Sequence, residues 1–517
     1  MAARIDLHLK PPLRDLVTEL AAFFGARDIR TYVVGGFLRD ALLGRECRDI
    51  DLSVAGDPLV LGRELADAFG GYYFLLAEER RLARVILPGR QVHVDLLPLS
   101  GDILTDLPQR DYTVDALAAR LDEAESGRVE LIDPTGGRQD LRRRLVRATG
   151  EESFRQDSLR PLRGARLAVD LDFRIEPATA DLIRQYASFV PTVAVERQRD
   201  ELMRIMATPR AGEGLRLLDE LGLLNAVLPE VVAMRGVEQP KEHHWDVLNH
   251  TLETVRCLDG LLDEDEPRGR PLRQAQGKLW RELWGQLAWW GDARSHFREE
   301  IVQGTPRSAV LKLGGLLHDI AKPETKGFDE TGRMRFLGHA DVGAEKAGGI
   351  LRRLHFSARE VDLVQVMVKA HLRPVQMAQQ GPPTRRALYR YFRDCGDGAI
   401  DTLFLSLADH QGTVGPRVSM TGWRQHVSLV NYILAKRFQD EAVMTPPKLI
   451  GGDELMSELG LSPGPRVGEL LELIREAQAA GEIATREEAL ELTHTALVGS
   501  GAHPERAYRR HKGDHSP

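Results

Sequence analysis

Strand-like patterning stops at Thr149-Gly150, and that boundary limits the possible folds more than any other feature of the sequence. Before it, Thr31–Val34 is short, β-branched and aromatic and runs into Gly35-Gly36. Residues 50–54 and 92–97 alternate polar and apolar side chains as half-buried strands do. Between them, 59–69 has the spacing of an amphipathic helix. After the boundary, 159–169, 179–186, 197–206 and 214–221 all carry helical spacing, with breaks at Pro177, Pro191 and Pro209. The pattern predicts a multidomain α+β chain, with an α/β head over 1–150 and helices beyond. At 517 residues, three or four domains are expected.

The helical part divides further. A neck occupies 151–235, and a histidine-rich region follows over 236–435. Inside that region, 263–304 reads as an insertion, with its apolar content in Trp280, Trp284, Trp289 and Trp290, part of it expected as a helix packed on a neighbour. Pro446-Pro447 opens a tail of short helices over 446–500, divided at Gly451-Gly452 and Pro463-Gly464-Pro465, and the polar residues after Gly499 are expected to fray. No apolar run is long enough for a membrane span, and the N-terminus lacks the apolar core of a signal peptide. Cys47, Cys257 and Cys395 are odd in number and too scattered for a zinc motif. A cytoplasmic protein with no membrane partner is expected. The net charge of −7 argues against a generally basic nucleic-acid binder. Yet nine arginines against four acidic residues between 138 and 166 suit a polyanion held at one place.

Two groups of residues point to chemistry. In Asp49-Ile50-Asp51-Leu52, which follows Arg48, strand alternation puts both carboxylates on one face, roughly 7 Å apart. Such a pair suits Mg²⁺, which prefers carboxylate oxygens and substrate phosphates. A second strand is expected to bring Asp95 nearby. Upstream, Gly35-Gly36 at a strand end lets backbone N–H groups approach a phosphate, and Arg39 stands one turn into the next helix, where it would grip a triphosphate. The second group, His250, His318-Asp319, His339, His371 and Asp409, mixes imidazoles and carboxylates, with His250, His318-Asp319 and Asp409 in helical contexts. Such mixtures suit Mn, Fe, Co, Ni or Zn.

Gly-Gly-x-x-Arg-Asp followed by Asp-x-Asp resembles the nucleotidyltransferase head of bacterial tRNA nucleotidyltransferases and poly(A) polymerases. The match continues through 106–118, 133–141 and 154–166, and the whole resemblance covers about 30–210, 240–420 and 446–492. It implies catalysis by Asp49 and Asp51 holding Mg²⁺, and nucleotide binding by Gly36, Arg39 and Arg110. It further implies that Asp157 and Arg160 read the base edge, with Arg163 and Arg166 continuing along the same helix face towards the nucleotide. Pro161 fits only a first helical turn, which makes Asp157 or Ser158 the expected N-cap. The helix around 195–202 resembles the one that supports this pocket. Two positions depart from the family pattern: Gln156 stands for a glutamate and Asp115 for an asparagine.

The histidine–aspartate order resembles HD-domain phosphohydrolases. That likeness implies one metal held by His250, His318, Asp319 and Asp409, and a second completed by His339 and His371. The tail resembles the family's C-terminal RNA-binding segment. Taken together, the resemblance implies addition of C and/or A, from CTP and ATP, to the 3′ end of tRNA, with an HD domain of phosphohydrolase activity. A poly(A) polymerase, a catalytically silent RNA-binding adaptor and a protein-modifying uridylyltransferase are the alternatives, although no ligand-sensing tail of the last kind is recognisable.

Overall fold

A computed structural model of the chain describes residues 4–499 except 8, 48, 91, 125–126, 263–289, 415–419 and 440–446. It forms two units: Met1–Thr208 with Glu213–Val227, and Pro209–Gly212 with Leu228–Pro517. Arg48, Trp280, Trp284, Trp289, Pro446 and the expected frayed end lie outside the described residues.

The first unit is built on six strands: β1 (Thr31–Val34), β2 (Asp49–Val54), β3 (Tyr72–Ala77), β4 (Leu82–Leu87), β5 (Val92–Pro98) and β6 (Ala118–Arg120). Their order across the sheet is β3-β4-β5-β2-β1-β6. Within this sheet only β2 and β5 pair in parallel, with Asp51 beside Asp95, and β1 lies antiparallel to β2 with Val34 beside Asp51. Val33, Val34, Ile50, Leu52, Val94 and Leu96 are fully buried, so the central strands carry the core of the head. The edge hairpin β3–β4 is not visible in the sequence pattern. Tyr72, Phe74, Leu75 and Leu76 are all exposed, so β3 lacks the inside–outside alternation that marks a strand.

β1 feeds helix α1 (Gly36–Leu43). Helix α2 (Pro58–Phe69) starts where the Asp57 carboxylate accepts from Leu59 N–H at 3.0 Å. Beyond the head, α3 (Arg160–Leu171) and α4 (Val195–Ala207) fall near the expected positions, with two differences at helix starts. Asp157 is not the N-cap of α3. Its carboxylate accepts from Leu159 N–H at 3.1 Å and its carbonyl from Arg160 N–H at 3.0 Å, a local turn that moves the helix start to Arg160. Pro161 stays in the first turn, as its ring requires. Pro177 opens the helix Pro177–Tyr186 rather than breaking one, because Glu176 caps it through Thr179 N–H at 2.8 Å.

The second unit is mainly helical, with α5 (Val247–Leu262), α6 (Arg307–Leu317), α7 (His339–Arg353), α8 (Ala358–Ala370) and α9 (Ala399–Val414) framing its interior. Two short hairpins interrupt the helices, Glu300–Val302 with Thr305–Pro306 and Lys326–Phe328 with Met334–Phe336. The end of the tryptophan-bearing stretch forms the helix Trp290–Arg298, whose Phe297 meets Phe404 edge-on at 4.6 Å. Three tail helices, Gly452–Leu459, Pro465–Ala480 and Arg486–Gly499, share a core of Leu455, Leu470, Ile474 and Ala489. All three cysteines are free thiols. Among the described residues, no helix is long and apolar enough to cross a membrane.

Candidate active site and candidate metal centre

Where β1 turns into α1, Gly35 takes φ +68° and ψ −138°, a backbone conformation that L side chains rarely adopt. Space demands glycine as well. A Cβ there would lie 3.1 Å from Asp51 Oδ2 and 3.3 Å from Arg110 Nη1. A carboxylate, a guanidinium and a bare stretch of backbone therefore meet at one point. Gly36, the residue singled out from the sequence, has an ordinary φ and lies against its own neighbour Arg39.

Asp49 and Asp51 share a face of β2, as alternation requires, with Asp49 exposed and Asp51 half-buried. His93 Nδ1 stands 3.4 Å from Asp49. Burial, and then the neighbouring Asp95, push the Asp51 carboxyl up to about 6, against the opposing pull of Arg110. Asp95 does lie beside Asp51, but Arg84 holds it in a two-point pair at 2.7 and 2.8 Å. Arg110 Nη2 donates to Asp106 at 3.3 Å, while its buried Nε has no hydrogen-bond partner among the described residues. Two free carboxylates beside a cationic fork fit a hard divalent ion carrying phosphate.

Arg39 does not take the open position expected of it. It is 8% exposed, donates from Nε and Nη2 to Asp40 at 2.9 Å each, and from Nη1 to Asp115 at 2.5 Å. Burial alone would lower its pKa, but Asp115 and Asp40 outweigh burial and hold it above the ordinary arginine range. Asp115, one of the two departures from the family pattern, is thus the partner of Arg39.

A second cluster gathers at the start of α3. Asp157 is 8% exposed, and its Oδ2 accepts from Arg197 at 2.7 Å and Arg80 at 3.3 Å. Arg160 Nη1 donates to the carbonyls of Gln109 and Ser153, both at 3.0 Å, and the Tyr112 hydroxyl donates to the Arg160 carbonyl at 2.6 Å. Arg163 and Arg166 follow on the same side of α3, each held by an acid: Asp111 at 3.1 Å and Glu201 at 2.6 Å. Sequence reasoning gave no role to Arg80, Arg197 or Asp111. Arg197 lies in a helix expected to support the pocket, so a signal existed for it. Arg80, at the tip of the unforeseen hairpin, had none.

The second unit brings all the expected histidines and aspartates together. His318 and His371 do not sit inside helices. Each is the residue just past one, at the ends of α6 and α8. There Nδ1 of His318 donates to the Gly315 carbonyl at 2.8 Å and Nδ1 of His371 to the Val368 carbonyl at 2.6 Å. Because a carbonyl only accepts, both rings carry the proton on Nδ1 and present Nε2 inward. His339, the first residue of α7, does the same through the Phe336 carbonyl at 2.7 Å.

Nε2 of His250 and His318 stand 3.2 Å apart, and those of His339 and His371 3.4 Å. Asp319 lies between the pairs. Two sets of ligand atoms, His250–His318–Asp319 and Asp319–His339–His371, each lie within 4.8 Å. Asp409 flanks the first set, 3.1 Å from His250 and 3.7 Å from His318. Neither Asp319 oxygen has a hydrogen bond of good geometry among the described residues, although Lys322 Nζ approaches to 2.6 Å. Burial lowers both central imidazoles. Asp319 and Asp409 nonetheless carry His318 up to about 10, whereas His371, with His318 also against it, drops to about 4. Imidazole Nε2 atoms converging on the Asp319 carboxylate fit a divalent cation, which would take the place of the His318 proton. Lys322, three residues after Asp319, was not anticipated.

With this geometry in place, the relationships of the chain are direct. The family model for the poly A polymerase head domain matches residues 31–97, and that for a probable RNA and SrmB-binding site of polymerase A matches 172–234. The HD domain model matches 284–409, and a putative tRNA nucleotidyltransferase domain 2 matches 425–493. The fold and these matches define a nucleotidyltransferase joined to an HD domain. An A-adding tRNA nucleotidyltransferase of Deinococcus radiodurans is 35% identical over 88% of this chain and 93% of its own length. A CC-adding tRNA nucleotidyltransferase of Thermus thermophilus is 35% identical over 90% and 93%. The chain belongs to the bacterial tRNA nucleotidyltransferase and poly(A) polymerase family that carries an HD domain. Among solved structures, a Thermotoga maritima CCA-adding enzyme complexed with tRNA shares the fold at a TM-score of 0.58 and 20% identity, over 96% of this chain and all of that one.

Proposed function

We propose that this nucleotidyltransferase adds C and/or A to the 3′ end of tRNA, taking the nucleotide from CTP or ATP at the turn between β1 and α1. The observation that carries the reading is the meeting of Asp51 and Arg110 at the left-handed Gly35. Asp49 and Asp51 would hold Mg²⁺, which would supply Lewis-acid activation at the α-phosphate. Arg110 neutralises phosphate charge beside it, and the N-terminus of α1 at Gly36 offers N–H groups to the same anion. Arg39 braces α1 from inside through Asp40 and Asp115.

Asp157 and Arg160 select the base. A carboxylate accepts from the exocyclic amine of C or A, and a guanidinium donates to the ring nitrogen beside it, whereas U and G present the opposite groups. Arg197 and Arg80 hold the Asp157 carboxylate in place. Arg163 and Arg166, neutralised by Asp111 and Glu201, fix the α3 face behind it. The domains in this reading are the head at 1–150, the neck at 151–235, the HD domain at 236–435 and the RNA-binding tail at 446–500. The HD domain, with Ni, Mn, Co, Fe or Zn on His250, His318, Asp319, His339, His371 and Asp409, hydrolyses a phosphoester or 2′,3′-cyclic phosphate. The enzyme works in the cytoplasm, which suits its free thiols.

The relatives at equal identity are named for different nucleotides, so the test scores each separately. Purified protein is given tRNAs ending before the first C or after CC, or a generic RNA, with one NTP at a time. C and/or A should enter tRNA, and U and G should not. Extension of generic RNA by ATP alone would mark a poly(A) polymerase, and no incorporation at all would overturn the proposal.

A further inference from the structure

The arginine-rich stretch between 138 and 166 splits into two populations. Arg147 pairs with Asp140 at 3.0 Å and Arg155 with Glu151 at 2.6 Å, Arg163 and Arg166 pair with Asp111 and Glu201, and Arg160 donates to the carbonyls of Gln109 and Ser153. Arg138, Arg142, Arg143 and Arg144 remain. Arg142, Arg143 and Arg144 are exposed and Arg138 is half-buried, and none of the four side chains has a hydrogen-bond or ion-pair partner among the described residues.

These four sit on the helix Gly137–Arg143 and on the residue that ends it, Arg144, at φ +53°. A fifth joins them. Exposed Arg174 lies in the strand Arg174–Ile175, which pairs with Leu145–Val146, and its N–H donates to the Arg144 carbonyl at 3.0 Å. A helix dipole favours cations in a last turn, but it gives no reason for Arg144 beyond the helix or for Arg174 on another strand. On a chain of net charge −7, five uncompensated guanidinium groups at one place form a local positive field.

We propose that this cluster contacts the phosphate backbone of the RNA substrate, through residues other than those assigned to the nucleotide pocket. The proposal rests on the RNA-substrate reading above. Guanidinium forks match phosphate geometry. No exposed aromatic interleaves residues 138–144 to stack a base, so the cluster suits backbone rather than sequence. Residues 138–144 lie between the two matched family segments, and Arg174 lies inside the one described as a probable RNA-binding site. The helix is also firmly placed. Asp140 turns inward to accept from Thr113 Oγ1 at 2.7 Å, tying the cluster to the segment that carries Arg110 and Asp111.

The test is the salt dependence of tRNA binding by the full chain, comparing wild type with Arg142→Gln/Arg143→Gln/Arg144→Asn. Asparagine is chosen at 144 because it tolerates the left-handed conformation. Each phosphate contact contributes about 0.7–0.9 to the slope of log Kd against log salt, so the triple variant should lose about 2–3 from that slope. It should also bind tRNA more weakly, with KM for CTP and ATP unchanged. Lysines at 142 and 143 should keep the slope. If the triple variant melts early, Arg142→Gln/Arg143→Gln should lose about 1–2. A slope and Kd equal to wild type in the folded variant would overturn the proposal. Failure of wild type to extend tRNA would remove the substrate reading instead, and the binding slope would still decide the cluster.

Discussion

A methyl group added at Gly164 would overlap Tyr112 Oη and lie 2.5 Å from Cζ and 3.0 Å from Cε1. Tyr112 has no room to yield. It is fully buried, Phe154 packs beside its ring, and its hydroxyl is held by the Arg160 carbonyl at 2.6 Å. Restoring van der Waals contact requires the ring or α3 to move by about 1 Å, a strain of about 1–3 kcal/mol for an overpacked core. Losing the buried hydroxyl bond adds about 1–3 kcal/mol. Gly164→Ala should therefore destabilise the first unit by about 2–6 kcal/mol. Because Arg160 and Asp111 adjoin the clash, the variant should also lose nucleotide addition under conditions where it remains folded. Urea unfolding followed by single-nucleotide incorporation reads both effects. Tyr112→Phe is the companion, costing about 1–3 kcal/mol and leaving the ring in place. Wild-type stability for Gly164→Ala would refute the packing argument.

Three further outcomes are expected. Asp157→Ala should relax discrimination of C and A against U and G by about ten- to a hundred-fold, the worth of a hydrogen bond to a charged group, as measured by incorporation ratios across the four NTPs. Unchanged ratios would remove the base-reading role. His318→Ala with Asp319→Ala should abolish bound transition metal and any phosphohydrolase activity, while nucleotide addition survives. Melting curves must show the variant folded, because metal loss can unfold the helices around a site. His426 is buried beside Ser406 Oγ at 3.0 Å, and burial lowers it to about 4. The unfolded chain binds that proton below about pH 6.5 and the folded one does not. His426 therefore leaves stability unaffected above pH 6.5 and takes about 1 kcal/mol by pH 5.5. In urea, His426→Gln should lose less stability between pH 7 and 5.5 than wild type, and parallel losses would show the shift to be wrong.

What could be read in the sequence was what local periodicity and short motifs encode. Thr31–Val34 and the Asp49/Asp51 face follow from alternation alone, and the ordered histidines and aspartates do meet. The hairpin β3–β4 escaped because an edge strand exposed on both faces has no alternation to detect. The apolar spacing around His318 reads as helical beyond it, whereas His318 and His371 lie just past the ends of α6 and α8. Their side chains satisfy the last-turn carbonyls and mark the ends instead. Arg39 has a local partner in Asp40, but its burial against Asp115, 76 residues away, leaves no local trace. For the same reason Arg80 and Arg197 could not be tied to Asp157 before the fold brought three distant segments together.

The central claim is that Asp49 and Asp51 serve chemistry and not the architecture of β2. It is tested most directly by incorporating labelled C or A into tRNA with wild type, Asp49→Ala and Asp51→Ala, measuring tRNA affinity on the same preparations. Asp49 is exposed and Asp51 half-buried on a strand whose core is Ile50 and Leu52, so both variants should keep the fold, which melting curves check. Incorporation should vanish in both variants while tRNA affinity stays near that of wild type. If affinity fell in step with incorporation, or if incorporation persisted without the pair, the carboxylates would be structural and the active site would lie elsewhere.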